Sequence, residues 1–102
     1  MPAAHWTSRN ARILAPHRRE DVIIENVGDD RIVSDPRSGA THHLNGTAAL
    51  VWHWCDGSTM TRDMARRLTR QFAIDIDTAQ DDVDQLIAIF AASNLFQSKE
   101  AV

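Results

Sequence analysis

The side chains with the most reactive chemistry in this 102-residue chain are five histidines and one cysteine, all potential metal ligands: His5, His17, His42, His43, His53 and Cys55. Adjacent residues of a strand point to opposite faces, so His42 and His43 cannot easily bind one ion together. His53 and Cys55 are two residues apart on a predicted helix and do not share a face. The spacing therefore predicts no metal site, and Cys55 is expected to be a buried thiol that packs as a small apolar group.

Catalytic signatures are the second kind of chemistry to consider. Serine, histidine and aspartate are all present, but no Gly-x-Ser-x-Gly elbow or other triad motif orders them. The chain has only four glycines, and they form no glycine-rich phosphate loop. We therefore predict no catalytic residue, no cofactor and no enzyme activity.

Size and composition limit the kind of ligand that the chain can bind. A length of 102 residues with 43% hydrophobic content predicts one domain with a small core. A ligand would then lie in a surface groove or along a sheet edge. The formal net charge of -3 is a poor match for nucleic acid as a whole. No apolar run approaches the roughly 18 residues that span a membrane, and the start has no signal-peptide core, so we expect a cytoplasmic protein without membrane contact.

The elements that would position a ligand begin with three predicted strands, at residues 22–27, 31–34 and 40–44. The first is rich in β-branched residues and ends at Gly28-Asp29, a pair suited to a two-residue hairpin turn. Asp35-Pro36 and Gly39 predict the second turn. The pattern predicts an antiparallel meander with one covered face.

Three helices are predicted to follow with short connections, at residues 45–55, at 62–72 and from 77 onwards. Their predicted N-caps are Asn45, Thr61 and Asp77, while Gly57 closes the first helix and Asn94 ends the third. Residues at helical spacing form the predicted buried stripes: Ala48, Val51, Trp52 and Cys55; Met64, Ala65, Leu68 and Phe72; Val83, Leu86, Ile87 and Phe90. His53 and Trp54 fall outside the first stripe and are expected at the surface.

These elements predict an α+β, winged-helix-like fold, in which a three-stranded antiparallel β-sheet is followed by three α-helices. The predicted organisation is an irregular N-terminal arm (1–20) with Trp6, Ile13 and Leu14 as anchors, one domain (21–96) and a polar C-terminal tail (97–102). A winged-helix DNA-binding regulator is the alternative function, because the second helix carries an arginine strip: Arg62, Arg66, Arg67 and Arg70. Against this alternative, the third helix begins with aspartates that would repel DNA: Asp77, Asp81, Asp82 and Asp84.

An ordered series of motifs resembles the PqqD-like family, also called the RiPP recognition element, where RiPP means ribosomally made, post-translationally modified peptide. The series is Leu44-Asn45-x-Thr47-Ala48-Ala49-x-Val51-Trp52, Cys55-Asp56-Gly57, Thr61-x-x-Met64-Ala65-x-x-Leu68-x-x-x-Phe72 and Asp82-Val83-x-x-Leu86. It covers residues 22–96. Asn94 stands where the family usually has glycine, and His42-His43 precede the Leu-Asn pair where many relatives have an aromatic or aliphatic residue.

The resemblance implies a noncatalytic peptide chaperone. Such proteins bind the leader segment of a precursor peptide and present it to a modifying enzyme, which in the founding case is a radical-SAM enzyme. The leader adds a strand beside the third strand, in a groove bordered by the third helix. Carried onto this chain, the expected peptide-binding residues are Ala40, Thr41, His42, His43, Asp82, Gln85, Leu86 and Ile89. Leu44 is expected in the core, which makes Thr41 and His43 the outward-facing pair, whereas a register shifted by one residue would reverse the assignment. Which peptide and enzyme are the partners, and the oligomeric state, stay open.

Overall fold

Three antiparallel strands precede three helices along the chain. The computed structural model describes residues 15–97, and its elements are β1 (Ile23–Val27), β2 (Asp30–Ser34), β3 (Thr41–Leu44), α1 (Gly46–Trp54), α2 (Thr61–Phe72) and α3 (Ile76–Ala92). This confirms the predicted α+β class and the predicted order of elements. None of the helices in residues 15–97 is long and apolar enough to cross a membrane. The predicted anchors Trp6, Ile13 and Leu14 lie outside the described residues.

The sheet has the order β1-β2-β3 and forms the predicted meander. Gly28 and Asp29 make the two-residue turn between β1 and β2, where Val27 pairs with Asp30. Gly28 has a φ of 61°, as the first central residue of a type II′ turn requires. In the second hairpin Arg31 is opposite Leu44, and this register fixes every other pair of β2 and β3.

The buried stripes of the three helices form one core with Val33 of β2 and Leu44 of β3, and α1 packs on both of these strands. Val51, Trp52, Leu68 and Val83 are fully buried, and Phe90 is 1% exposed. Phe96 packs edge-on against Phe90, with ring centroids 6.0 Å apart, so the chain folds back after α3. Asn94 ends this helix in the left-handed conformation predicted for it, with a φ of 59°.

The prediction that Phe72 belongs to the buried stripe of α2 is wrong. Phe72 is the last residue of the helix, and its side chain is 48% exposed. The chain turns away immediately afterwards, because Ala73 takes a left-handed φ of 55°. Phe72 therefore borders an open depression instead of entering the core.

The helix ends agree with the sequence at Asn45 and Asn94 and differ at three other positions. Asn45 caps α1, and its Oδ1 accepts a hydrogen bond from Ala48 N at 3.0 Å. Thr61 lies inside α2, whose N-cap is Met60 without a side-chain bond. This earlier start is consistent with the preceding loop, where the Asp56 carboxylate binds the N–H groups of Ser58 and Thr59.

The cap of α3 is Asp75 and not the predicted Asp77. The Asp75 carboxylate accepts bonds from Thr78 N at 2.8 Å and from Thr78 Oγ1 at 3.1 Å. Thr78 stands three residues after Asp75, so one carboxylate is held by both donors. These backbone and hydroxyl bonds also lower the pKa of Asp75.

We expect Asp75→Ala to lower the melting temperature by about 4–8 °C, because it leaves helical N–H groups without a partner. Asp77→Ala is the matched control, since Asp77 lies in the first helical turn and does not cap it. Circular dichroism melting of both variants checks this. Equal losses in the two variants would contradict the assignment of the cap.

Gly57 was predicted as the first residue after the end of α1, but Cys55 is the C-cap and Gly57 lies two residues beyond it. Its φ is 85°, and its N–H donates to Pro16 O at 2.9 Å. A Cβ at Gly57 would lie 3.1 Å from His17 Nδ1. A glycine is therefore needed here because the segment before β1 packs directly on this loop.

The segment before β1 is hydrogen-bonded to the end of α1 and to the chain that follows α3. Arg18 N donates to Cys55 O at 2.8 Å, and Arg19 N donates to Leu95 O at 2.9 Å. The Arg18 guanidinium also donates to His53 O at 2.7 Å, so it satisfies a carbonyl at the end of α1. Residues 17–19 thus join α1 to the chain that follows α3.

Candidate peptide-binding edge

The backbone groups at the free edge of β3 follow from the hydrogen-bond pattern of the sheet. Asp35 N donates to Ala40 O at 2.8 Å, which places this pair at a bonded position of the β2–β3 ladder. Bonded and non-bonded pairs alternate in an antiparallel ladder, so His42 and Leu44 direct their N–H and C=O groups to β2. Thr41 and His43 direct theirs away from β2. Within residues 15–97 no strand pairs with that side of β3.

The side chains of β3 alternate as the sequence predicts. His42 is opposite Val33, a fully buried residue, so His42 and Leu44 face the core. Thr41 and His43 are exposed on the other face. Leu44 is 6% exposed, which confirms it as a core residue. The prediction that Thr41 and His43 form the outward pair is therefore confirmed.

His43 has a partner on the outer face of the sheet. Its Nε2 lies 2.9 Å from Asp30 Oδ2, and both side chains are partly open to solvent. This contact directs the imidazole toward β2 and away from the free edge of β3.

The four predicted residues of α3 lie along one flank of its buried stripe. Helical periodicity places Asp82, Leu86 and Ile89 next to Val83 and Phe90, and puts Gln85 one step farther from the core. Asp82 and Leu86 are half-buried, Gln85 is exposed and Ile89 is 56% exposed. Leu86 packs against the core cluster from its margin. Along this flank the side chains therefore change from half-buried at Leu86 to exposed at Gln85 and Ile89.

Contacts near the two ends of α3 relate this helix to β3. The Arg19 guanidinium donates to Asp35, next to the β2–β3 turn, and to Asn94 O just after α3. At the other end Phe72, four residues before α3, borders one depression with Asn45, which directly follows β3. The end of α3 is therefore tied to the β2–β3 turn from which β3 begins, and the segment before α3 lies near the end of β3. The predicted peptide-binding residues of β3 and those of α3 form two rows. The proposal below includes the claim that both rows line one groove.

The structure adds a feature that the sequence did not predict, an open depression at the end of β3. Its volume is about 550 Å³, and residues from the β1–β2 turn, α1 and α2 line it: Asp29, Asn45, Gly46, Thr47, Leu50, Gln71 and Phe72. Phe72 is the residue from which this depression could have been suspected, because it is large and apolar at the last position of a helix. Its exposure depends on the turn at Ala73, which the sequence pattern does not specify.

The sequence also predicted that the chain has no metal site and that the Cys55 thiol is buried. Within residues 15–97 no three His, Cys, Asp or Glu side chains are placed to hold a metal ion together. Cys55 is fully buried and its Sγ donates to Val51 O at 3.2 Å. Burial raises the pKa of this thiol to about 12, so the thiolate is scarce at neutral pH. Cys55 is a core residue, as predicted.

The ion pair of Arg19 and Asp35 is buried beside the turn that precedes β3. Arg19 donates to Asp35 at 2.7 and 3.1 Å and to Asp21 at 2.9 and 3.0 Å. Arg19 and Asp35 are 6% and 3% exposed. The bonds from Arg19, together with Arg37 N, hold the pKa of Asp35 well below its usual range. The pair fixes the turn from which β3 begins.

Comparison with known proteins assigns this fold to a family. The family profile described as coenzyme PQQ synthesis protein D (PqqD) matches residues 31–95. The chain belongs to the PqqD family. The matched range contains β3, all three helices and every predicted peptide-binding residue. A comparison with curated proteins found no match.

Two solved structures share the PqqD fold of this chain. One is TbiB1 in complex with the TbiA(beta) leader peptide, with a TM-score of 0.71, 12% identity, and coverage of 80% of this chain and 95% of that chain. The other is a lasso peptide synthetase B1 complexed with the leader peptide, with a TM-score of 0.72, 21% identity, and coverage of 82% and 99%. At these identities the likeness establishes the fold, including the sheet and the three helices.

Proposed function

We propose that this protein is a noncatalytic RiPP recognition element that binds the leader segment of a precursor peptide by adding it as a strand to β3. The observation that carries the proposal is the free edge of β3, where Thr41 and His43 direct their backbone groups away from β2. The PqqD family match and the two leader-bound proteins of the same fold support this reading.

Strand addition accounts for affinity through the main chain and for selectivity through side chains. The two outward residues offer two N–H donors and two C=O acceptors, which fix the register of an incoming strand. Leu86 and Ile89 would cover apolar side chains of the leader on the helix side. Asp82, half-buried on the same flank, would favour a basic leader residue. His42 belongs to the strand that the leader would follow, Ala40 directly precedes this strand, and Gln85 would border the outer rim.

The bound leader would be presented to a peptide-modifying enzyme, for which a radical-SAM enzyme is the family precedent. The reaction would then belong to that enzyme, and this chain would supply binding and orientation in the cytoplasm. No observation favours the DNA-binding alternative: the family match and the two solved structures give it no support.

We expect Ile89→Ser to weaken leader binding about 3–10-fold without changing the melting temperature, because an exposed apolar contact is lost and the core is untouched. Ile23→Ser is the matched control, since Ile23 is 63% exposed on β1, the strand farthest from the free edge of β3. Isothermal titration with the synthetic leader of the precursor encoded beside this gene measures both. Equal affinity of Ile89→Ser and the wild type would remove α3 from the site.

A further inference from the structure

We infer that the arginine strip of α2, with the Trp54 ring beside it, is a docking surface for an acidic region of the peptide-modifying enzyme. This inference rests on the proposed function and deepens it, because it names the surface and the charge by which the enzyme is held. The residues proposed above for leader binding include none of these side chains. The strip is therefore a separate surface that a second partner can use.

The exposed face of α2 carries a concentrated positive charge. Arg62, Arg66 and Arg70 recur every four residues, and all three are exposed. Four arginines and one aspartate give this helix a formal charge of +3, in a chain whose net charge is -3. Among the carboxylates of residues 15–97, Asp63 pairs with Arg66 at 3.2 Å and none pairs with Arg62 or Arg70. Like charges four residues apart repel each other, so carboxylates of a partner would relieve this repulsion.

Arg67 and Trp54 give the strip an aromatic border. Arg67 Cζ lies 5.4 Å from the centroid of the Trp54 ring, within the range of a cation–π contact. Trp54 is the last residue of α1, and its half-buried side chain packs against the margin of the core. The ring is held by the core and the guanidinium by the ring, which lowers the entropic cost of docking. Tryptophan and arginine are also enriched at the hot spots of protein–protein interfaces.

The charges next to the strip favour a protein over a polyanion. The helix that packs against α2 is α3, which has four aspartates and no basic residue: Asp77, Asp81, Asp82 and Asp84. A nucleic acid or an anionic membrane presents one sign of charge over its whole surface, so these aspartates would repel it. A protein surface can present carboxylates to the arginine strip and other groups to α3.

The direction of the strip allows the leader and the enzyme to bind together. The opposite side of α2 is its buried stripe, with Met64 and Leu68 in the core that also contains Leu44 of β3. The arginines therefore face away from the sheet, and a strand added to β3 does not cover them. Leader and enzyme can then occupy one molecule of this protein at the same time.

The test measures binding of the purified modifying enzyme encoded beside this gene to the full chain, by biolayer interferometry. We expect Arg62→Glu and Arg70→Glu each to weaken enzyme binding about tenfold, and the double variant about 100-fold. Arg62→Glu keeps the fold, because it adds a carboxylate to the first turn of α2, where the helix dipole favours it. Replacing both arginines with lysine keeps the charge and should restore affinity to within about threefold of wild type.

Arg37→Glu is the matched control, because it makes the same change of charge at a side chain that is 76% exposed in the β2–β3 turn. Wild-type enzyme affinity in both glutamate variants would overturn the inference, as would a loss seen only with duplex DNA or with phosphatidylglycerol vesicles. Isothermal titration of the same variants with the leader peptide should give wild-type affinity. A wild-type protein that binds the enzyme through the strip but binds no leader would contradict the proposed function and leave the docking surface standing.

Discussion

Replacing His43 with proline should abolish leader-peptide binding and leave the protein folded. The His43 N–H points away from β2, so its removal breaks no bond of the sheet, and proline is tolerated on an edge strand. The incoming strand loses one main-chain bond, keeps an unpaired carbonyl and meets the proline ring. We expect affinity to fall by about 100-fold or more, measured by isothermal titration.

The neighbouring residue supplies the control for this result. His42 bonds to Val33 across the ladder and faces the core, so His42→Pro removes a sheet bond and should unfold the hairpin. Thr41→Pro should behave like His43→Pro. Circular dichroism then separates the two classes of variant. A folded His43→Pro protein with unchanged affinity would exclude strand addition at this edge.

Replacing Arg19 with methionine should cause a large loss of stability. The change leaves the Asp35 carboxylate, which is 3% exposed, with Arg37 N as its remaining main-chain donor. A buried charge without its partner is strongly destabilising, so we expect the melting temperature to fall by about 10–20 °C. Arg37→Met is the control, since the Arg37 side chain is 76% exposed and pairs with Asp21, whose side chain is 43% exposed.

The pH dependence of this loss follows from the lowered pKa of Asp35. Its carboxylate is stabilised in the folded state by the bonds from Arg19, so this contribution is present above the unfolded pKa of about 3.9. It is lost as the pH falls further through the folded pKa. The difference between wild type and Arg19→Met should therefore be full at pH 6 and shrink below about pH 4. A difference that stays constant down to pH 2 would show that the charge pair is not its origin.

The sequence predicted well those features that depend on local pattern. The alternation in β3 placed Leu44 in the core and Thr41 and His43 outside, because a period of two is a property of the strand itself. Asn45 was recognised as a cap because the preference for asparagine before the first turn of a helix is also local. Asp75 was missed in favour of Asp77, since both residues precede a helical pattern and the short link after Ala73 decides between them.

Long-range contacts could not be predicted from the sequence. Arg19 reaches Asp35 and Asn94, which are 16 and 75 residues away, and no local pattern distinguishes it from its arginine neighbours. The same holds for the depression at the end of β3, which residues from three separate segments create. The direction of the Thr41 and His43 backbone groups needed the register of β2 against β3. The choice of Asp82, Gln85, Leu86 and Ile89 as contact residues stays a prediction.

An amide-resolved NMR titration tests the central claim most directly. The labelled protein is titrated with the leader peptide of the precursor encoded beside this gene, and duplex DNA serves as the control. The account predicts peptide-induced shifts confined to residues 40–44 and 82–89, with the amides of Thr41 and His43 newly protected from exchange, and no response to DNA. Shifts caused only by DNA and centred on residues 62–70, or no response of residues 40–44 to the peptide, would contradict it.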